Sequence, residues 1–276
     1  MPRTWLQTRI AVTPELAEIV GQALIESGSP GLVTEEGADL VEIVAYYERE
    51  EDMRRACEAA QGLGAVRCDV ARIDEEDWAE NWKQHFQPIA VGARLYVCPP
   101  WHDDVPAGRE MVVIDPGMAF GTGNHATTRG CLELLERLLP PDAEVLDVGT
   151  GSGVLAIAAL RLGAGSAVGV DVDPVALQAM RENAERNGVA DDCAQYGSLD
   201  AVQGEFDLAL ANLQLNTLID LEEAIARRVK RGGTLIASGL LREELGAWKA
   251  RYAARWETGD STGDEQWIAI AARRRP

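Results

Sequence analysis

Two rhythms of apolar and polar positions divide the chain. Over its first part, alternating runs exchange places with helical ones: TWLQTRIAV, PELAEIVGQALIES, GLVTEE, DLVEIVAYY, EEDMRRACEAAQGL and AVRCDVARI. Period-two alternation marks the strands and apolar residues at helical spacing mark the helices. Pro14 opens the first helix, with Thr13 before it as the expected cap. The order βαββαβ predicts a small ferredoxin-like α+β domain, two helices on a four-stranded sheet, over residues 1–72. Such a layer is a common recognition module, although the fold alone names no ligand.

From Val145 the pattern changes. VLDVG, SAVGVD, CAQYG, FDLALAN, GGTLIASG and QWIAIAA read as strands, with helices starting near Ser152, Pro174, Asn216 and Leu241. Strict alternation of this kind predicts an α/β domain with a parallel, doubly wound sheet. ARLYVCPPW and REMVVIDPG read as short strands before it, and CLELLERLL as a helix stopped by Pro140-Pro141. DEEDWAENWKQHFQPI reads as an acidic-capped helix ended by Pro88, with Trp78, Trp82 and Phe86 on one face for packing. Residues 73–100 are thus expected to be a linker helix and hinge, and residues 101–276 the second domain.

Composition narrows the class. The 276 residues are 46% hydrophobic and 26% charged, as in a globular protein, and the formal net charge is -19. That charge disfavours nonspecific nucleic-acid binding and suits a basic protein partner. No apolar run reaches the ~18 residues of a membrane span, and the N-terminus lacks the apolar core of a signal peptide. A cytoplasmic monomer is expected. Cys57, Cys68, Cys98, Cys131 and Cys193 form no CxxC pair, so they read as ordinary thiols, with neither a metal site nor a disulfide framework. His85 and His102 lack partners in the sequence and carry little weight.

The chemistry concentrates at Asp147-Val-Gly149-Thr-Gly151-Ser-Gly153, where a strand turns into a helix. Missing side chains there let a bound molecule reach the backbone. The nicotinamide fingerprint GxGxxG fails, because Val154 stands where its third glycine belongs. Asp171 ends the next strand, where a carboxylate can accept from both hydroxyls of an adenosine ribose or cap the helix at Asp173-Pro174. Asn212 ends FDLALAN on the switch-point side of the sheet, where open α/β folds bind ligands.

The glycines, Asp171, Asn212 and KRGGTLIASG resemble the seven-stranded class I S-adenosylmethionine-dependent methyltransferases, with a Rossmann-like sheet. IDPGMAFGTGNHATT, DWAENWKQHFQPI and the small first domain narrow this, and the chain resembles end to end the PrmA family, the methyltransferases of ribosomal protein L11. The resemblance implies that His125 and Thr128 line the methionine end of S-adenosylmethionine, that Gly149 and Gly151 lie along it, and that Asp171 holds the ribose. It places Asn212 beside the methyl group and the incoming amine. It further implies a protein N-methyltransferase acting on lysine and N-terminal amines of ribosomal protein L11, gripped by the first domain. NLQLNTL departs from the family's NILANPL-like motif at Gln214 and Thr217, and Asn124 stands where threonine is frequent. A lysine methyltransferase of another protein, such as the β subunit of electron-transfer flavoprotein, and a non-catalytic binding module stay open on these residues.

Overall fold

The computed structural model describes residues 4–36, 40–74, 86–102, 104–116 and 125–276. The chain divides into two compact units, Met1–His85 and Phe86–Pro276. Trp78, Trp82 and His85 of the expected linker helix, and Asn124 with most of the AFGTGNH stretch, lie outside the described residues.

In the first unit, strands β1 (Thr4–Val12), β2 (Leu32–Glu36), β3 (Val41–Tyr47) and β4 (Arg67–Asp74) pair antiparallel in the order β2-β3-β1-β4. Helices α1 (Ala17–Glu26) and α2 (Glu50–Gly62) complete the βαββαβ order. Alternation sets the core: Leu6, Ile10 and Val12 of β1 and Ile43, Ala45 and Tyr47 of β3 are buried with Val20 and Leu24 of α1 and Ala56 and Ala60 of α2. Two local expectations are corrected. Thr13 makes no side-chain cap; the first turn, Pro14–Leu16, is a 3-10 turn closed by the Leu16 N–H on the Thr13 carbonyl at 3.0 Å. Cys57 on α2 and Cys68 on β4 are not separate thiols but a disulfide, with Cα atoms 6.2 Å apart. The spacing hid this because packing of α2 on the sheet, not a local motif, brings the two together. Cys98, Cys131 and Cys193 are free and buried.

The second unit begins with a three-stranded sheet of β5 (Ile89–Val91), β6 (Leu95–Cys98) and β7 (Glu110–Val113). The β5–β6 turn is held from helix α3 (Ala126–Leu138), whose Glu136 carboxylate accepts from the N–H groups of Ala93 and Arg94 at 2.9 and 3.0 Å. His102 has partners after all, its Nε2 lying 3.2 Å from the Tyr96 hydroxyl and 3.1 Å from the Asp104 carbonyl.

The main sheet contains β8 (Glu144–Val148), β9 (Ser166–Val170), β10 (Cys193–Tyr196), β11 (Phe206–Asn212), β12 (Val229–Leu241), β13 (Trp256–Gly263) and β14 (Trp267–Arg274). Its order is β10-β9-β8-β11-β12-β14-β13. The sheet is seven-stranded and Rossmann-like, but it is mixed and not wholly parallel: β14 runs antiparallel to both β12 and β13. The reason is the short connection from Gly263 to Trp267, which makes a hairpin where a helical crossover would be needed for a parallel neighbour. Helices α4 (Val154–Leu162), α5 (Pro174–Arg186), α6 (Leu215–Arg228) and α7 (Leu245–Tyr252) join the strands. One core packs α3 and α4 on the sheet around Val145, Leu208 and Ile236, and the other packs α6 and α7 around Leu146, Ala209 and Leu235. Strand neighbours β8 and β11 diverge in chain order, so the switch point lies between them.

Candidate active site

A cavity of about 620 Å³ opens at the carboxyl ends of β8, β9 and β11, where the switch-point rule puts a ligand. Thr128, Gly149, Gly151, Asp171 and Asn212 all line it. His125 does not: it is the N-cap of α3, its Nδ1 taking the Thr127 N–H at 3.4 Å and standing 2.8 Å from the Thr127 hydroxyl. Its ring meets Trp267 edge-on at 5.1 Å.

The alternate glycines have separate physical reasons. Gly149 has φ +72°, and a Cβ on it would lie 2.5 Å from the Leu213 side chain. Gly153 has φ +83°, and a Cβ there would lie 2.7 Å from Met180 of α5. Thus the last glycine, one residue early for a nicotinamide fingerprint, is what lets α5 close on the turn. The turn is tied to β9, since the Val170 carbonyl accepts the N–H groups of Gly149 and Thr150 at 2.8 and 3.0 Å.

Asp171 is half-buried at the cavity. Its Oδ2 accepts the Gly151 N–H and its Oδ1 the Asp173 N–H, both at 3.0 Å. A carboxylate offers about four lone-pair sites, so two remain for a vicinal diol. Helix capping falls to Asp173, whose carboxylate takes the Val175 N–H at 2.8 Å. Asn212 emerges from β11 and lines the cavity, with its Nδ2 donating to the Thr128 hydroxyl at 3.2 Å, so the carboxamide oxygen is the acceptor end of the group.

Beneath the turn, Asp147 is fully buried, and its Oδ2 takes the Thr150 hydroxyl at 2.8 Å while Oδ1 has no partner among the described residues. Burial pushes its carboxyl up to about 7; the Thr150 hydroxyl and the Ala156 N–H pull it down, and Asp171 adds to the rise. Burial also raises the Cys193 thiol to about 12, and the Asp147 charge contributes.

Apart from Thr217, sequence reasoning missed two parts of the wall. Thr217, Asp220, Leu221 and Ala224 line the cavity from one face of α6, at the helical spacing i, i+3, i+4, i+7. Ser198, Leu199 and Asp200 line it after β10, where a fourth strand of the parallel set also ends at this edge. Of the two departures noted in NLQLNTL, Thr217 faces the cavity, whereas Gln214 is the exposed N-cap residue of α6 and does not line it.

The site therefore offers a glycine turn a ligand can touch, a carboxylate with capacity for a diol, and an oriented carboxamide, which fits S-adenosylmethionine. Among the described residues no group of His, Cys, Asp and Glu is placed to hold a metal ion. Residues 4–275 match the family model described as ribosomal protein L11 methyltransferase (PrmA). A ribosomal protein L11 methyltransferase of Shewanella putrefaciens is 35% identical over 291 residues, covering 98% of this chain and 99% of its own. That of Symbiobacterium thermophilum is 47% identical over 226 residues, covering 77% and 71%. The crystal structure of a ribosomal protein L11 methylase from Lactobacillus delbrueckii subsp. bulgaricus is similar at a TM-score of 0.65 and 34% identity, over 69% of this chain and 100% of that one. With this sheet, this cavity and these relatives, the chain belongs to the ribosomal protein L11 methyltransferase family and is an S-adenosylmethionine-dependent methyltransferase.

Proposed function

We propose that the protein transfers methyl groups from S-adenosylmethionine to lysine side chains and the N-terminal amine of ribosomal protein L11. The observation that carries the reading is Asn212, held by Thr128 at the switch point with its carboxamide oxygen left to accept. When bound, S-adenosylmethionine supplies an electrophilic methyl group on a sulfonium. Asp171 holds the ribose hydroxyls on its two remaining lone-pair sites, and Gly149 and Gly151 let the cofactor lie against the backbone. Thr128 closes the cavity on the methionine side; His125 serves that end by fixing the start of α3.

A lysine amine has a reference pKa of ~10.4 and arrives protonated; partial desolvation in the cavity lowers that value and favours the neutral, nucleophilic form. Water carries the proton away. The Asn212 oxygen accepts an N–H of the neutral amine and aims its lone pair at the methyl carbon. Alignment of this kind is worth up to ~7 to 11 kcal/mol of barrier.

The first unit serves recognition of the basic substrate, which the net charge of -19 favours electrostatically. Among the described residues no helix is long and apolar enough to cross a membrane; a monomer working in the cytoplasm beside the ribosomal protein is the setting of this reading. The test is peptide-mapped mass spectrometry of purified L11 incubated with the protein and isotopically labelled S-adenosylmethionine. One-methyl mass steps on lysines and the N-terminus support it. An unlabelled L11, with label on electron-transfer flavoprotein in the parallel reaction, overturns it.

A further inference from the structure

Two buried asparagines, Asn183 on α5 and Asn187 at its C-cap, have no part in the function described so far. Asn187 grips both main-chain groups of one residue: its Oδ1 accepts the Val113 N–H at 2.9 Å and its Nδ2 donates to the Val113 carbonyl at 2.7 Å, and also to the Asn183 carbonyl at 2.7 Å. Asn183, one turn earlier and 1% exposed, reaches two separate pieces of chain. Its Oδ1 accepts the Asp115 N–H at 3.0 Å, and its Nδ2 donates to the Ser152 carbonyl at 2.9 Å. Arg186 braces the same point, with Nη1 3.3 Å from the Asn183 Oδ1 and Nη2 3.0 Å from the Asp115 carboxylate.

Ser152 stands between Gly151 and Gly153, which have φ of +53° and +83°. Glycines hold no conformation by themselves and lose the most backbone freedom on ordering, so the shape of this turn depends on hydrogen bonds from outside it. On the cavity side the Gly151 N–H is held by Asp171 at 3.0 Å. On the opposite side the Ser152 carbonyl is held by Asn183. The Gly151–Ser152 stretch of the turn is therefore held from one side by a carboxylate and from the other by a carboxamide.

We propose that Asn183 is a positioning residue for the cofactor: its amide fixes the Ser152 carbonyl and so presets the glycine turn, while its oxygen sets Asp115 in the same register. The inference rests on the cavity being the cofactor site. A turn ordered before binding spares the ligand that entropy, so the loss of this clamp is read as affinity.

Asn187 provides the control, because it has the same chemistry at the end of the same helix and, besides the Asn183 main-chain carbonyl, holds Val113 and not the glycine turn. The full-length protein carries Asn183→Asp, which keeps the acceptor for Asp115 and replaces the donor to Ser152 with an oxygen, or Asn187→Asp, or Asn183→Ser as a second, uncharged route. The readouts are S-adenosylhomocysteine binding by calorimetry, KM for S-adenosylmethionine against kcat, and the thermal midpoint of the ligand-free protein. Both Asn183 variants raise Kd and KM about tenfold, equivalent to ~1.4 kcal/mol, with kcat at saturation within about twofold. Asn187→Asp lowers the thermal midpoint and leaves Kd and KM within about twofold. The proposal is overturned if folded Asn183 variants bind like the parent, or if Asn187→Asp weakens binding equally. A parent protein that does not bind S-adenosylhomocysteine overturns the cofactor reading itself, and this inference with it.

Discussion

The Asn212 Nδ2 donates to the Thr128 hydroxyl at 3.2 Å, joining the end of β11 to the first turn of α3 across 84 positions of sequence. Thr128 is 1% exposed, so its hydroxyl is a fixed acceptor with little water to compete. The bond decides which end of the Asn212 carboxamide is free to meet an amine. Thr128→Val keeps the shape and removes the acceptor. We expect kcat/KM to fall about tenfold and stability by about 1 kcal/mol, with Thr128→Ser restoring activity. Steady-state methylation rates for the two variants check this.

Asp171 holds one N–H on each carboxylate oxygen and has two lone-pair sites left. Asp171→Asn turns one oxygen into a donor facing donors. If Asp171 holds the ribose as proposed, the expected result is a KM for S-adenosylmethionine raised by about 10- to 100-fold with kcat nearly unchanged, since that contact is equal in ground and transition states. Calorimetric titration with S-adenosylhomocysteine gives the same loss independently.

Asp147 makes stability depend on pH. Its folded pKa is raised, to about 7, above the ordinary carboxylate value. The folded state therefore keeps a proton that the unfolded chain has released, and stability falls as pH rises from about 4 to about 7, then levels off. Asp147→Asn removes this slope. Guanidinium unfolding of the ligand-free protein at pH 5 and pH 8 is expected to find the variant gaining about 2 to 4 kcal/mol on the parent between the two values.

Where sequence patterns are local, they carry the fold: the βαββαβ order, the strand ends at Asp171 and Asn212, and the Asp173-Pro174 helix start all stand in the structure where the apolar rhythm puts them. What escaped depends on contacts between distant segments. Strand β13, WETGDSTG, is an exposed edge with only Trp256 buried, so it has no apolar alternation to read. The antiparallel β14 follows from a hairpin that a strand count does not reveal. The cap that His125 makes to Thr127 is local, but the glycine-rich stretch before it gives no helix-start signal for it. Asn183 and Asn187 look like ordinary polar positions of a surface helix, and only the approach of Val113, Asp115 and Ser152 gives them partners.

The central claim is that the Asn212 carboxamide aims the amine at the methyl group. Its most direct test is the single-turnover rate of methyl transfer to L11 by Asn212→Ala at saturating S-adenosylmethionine, with S-adenosylhomocysteine affinity measured beside it. The account predicts a rate lower by about 100-fold or more, the size of one oriented hydrogen bond made in the transition state, with cofactor affinity within about threefold of the parent. A variant that transfers methyl groups at the parental rate contradicts it.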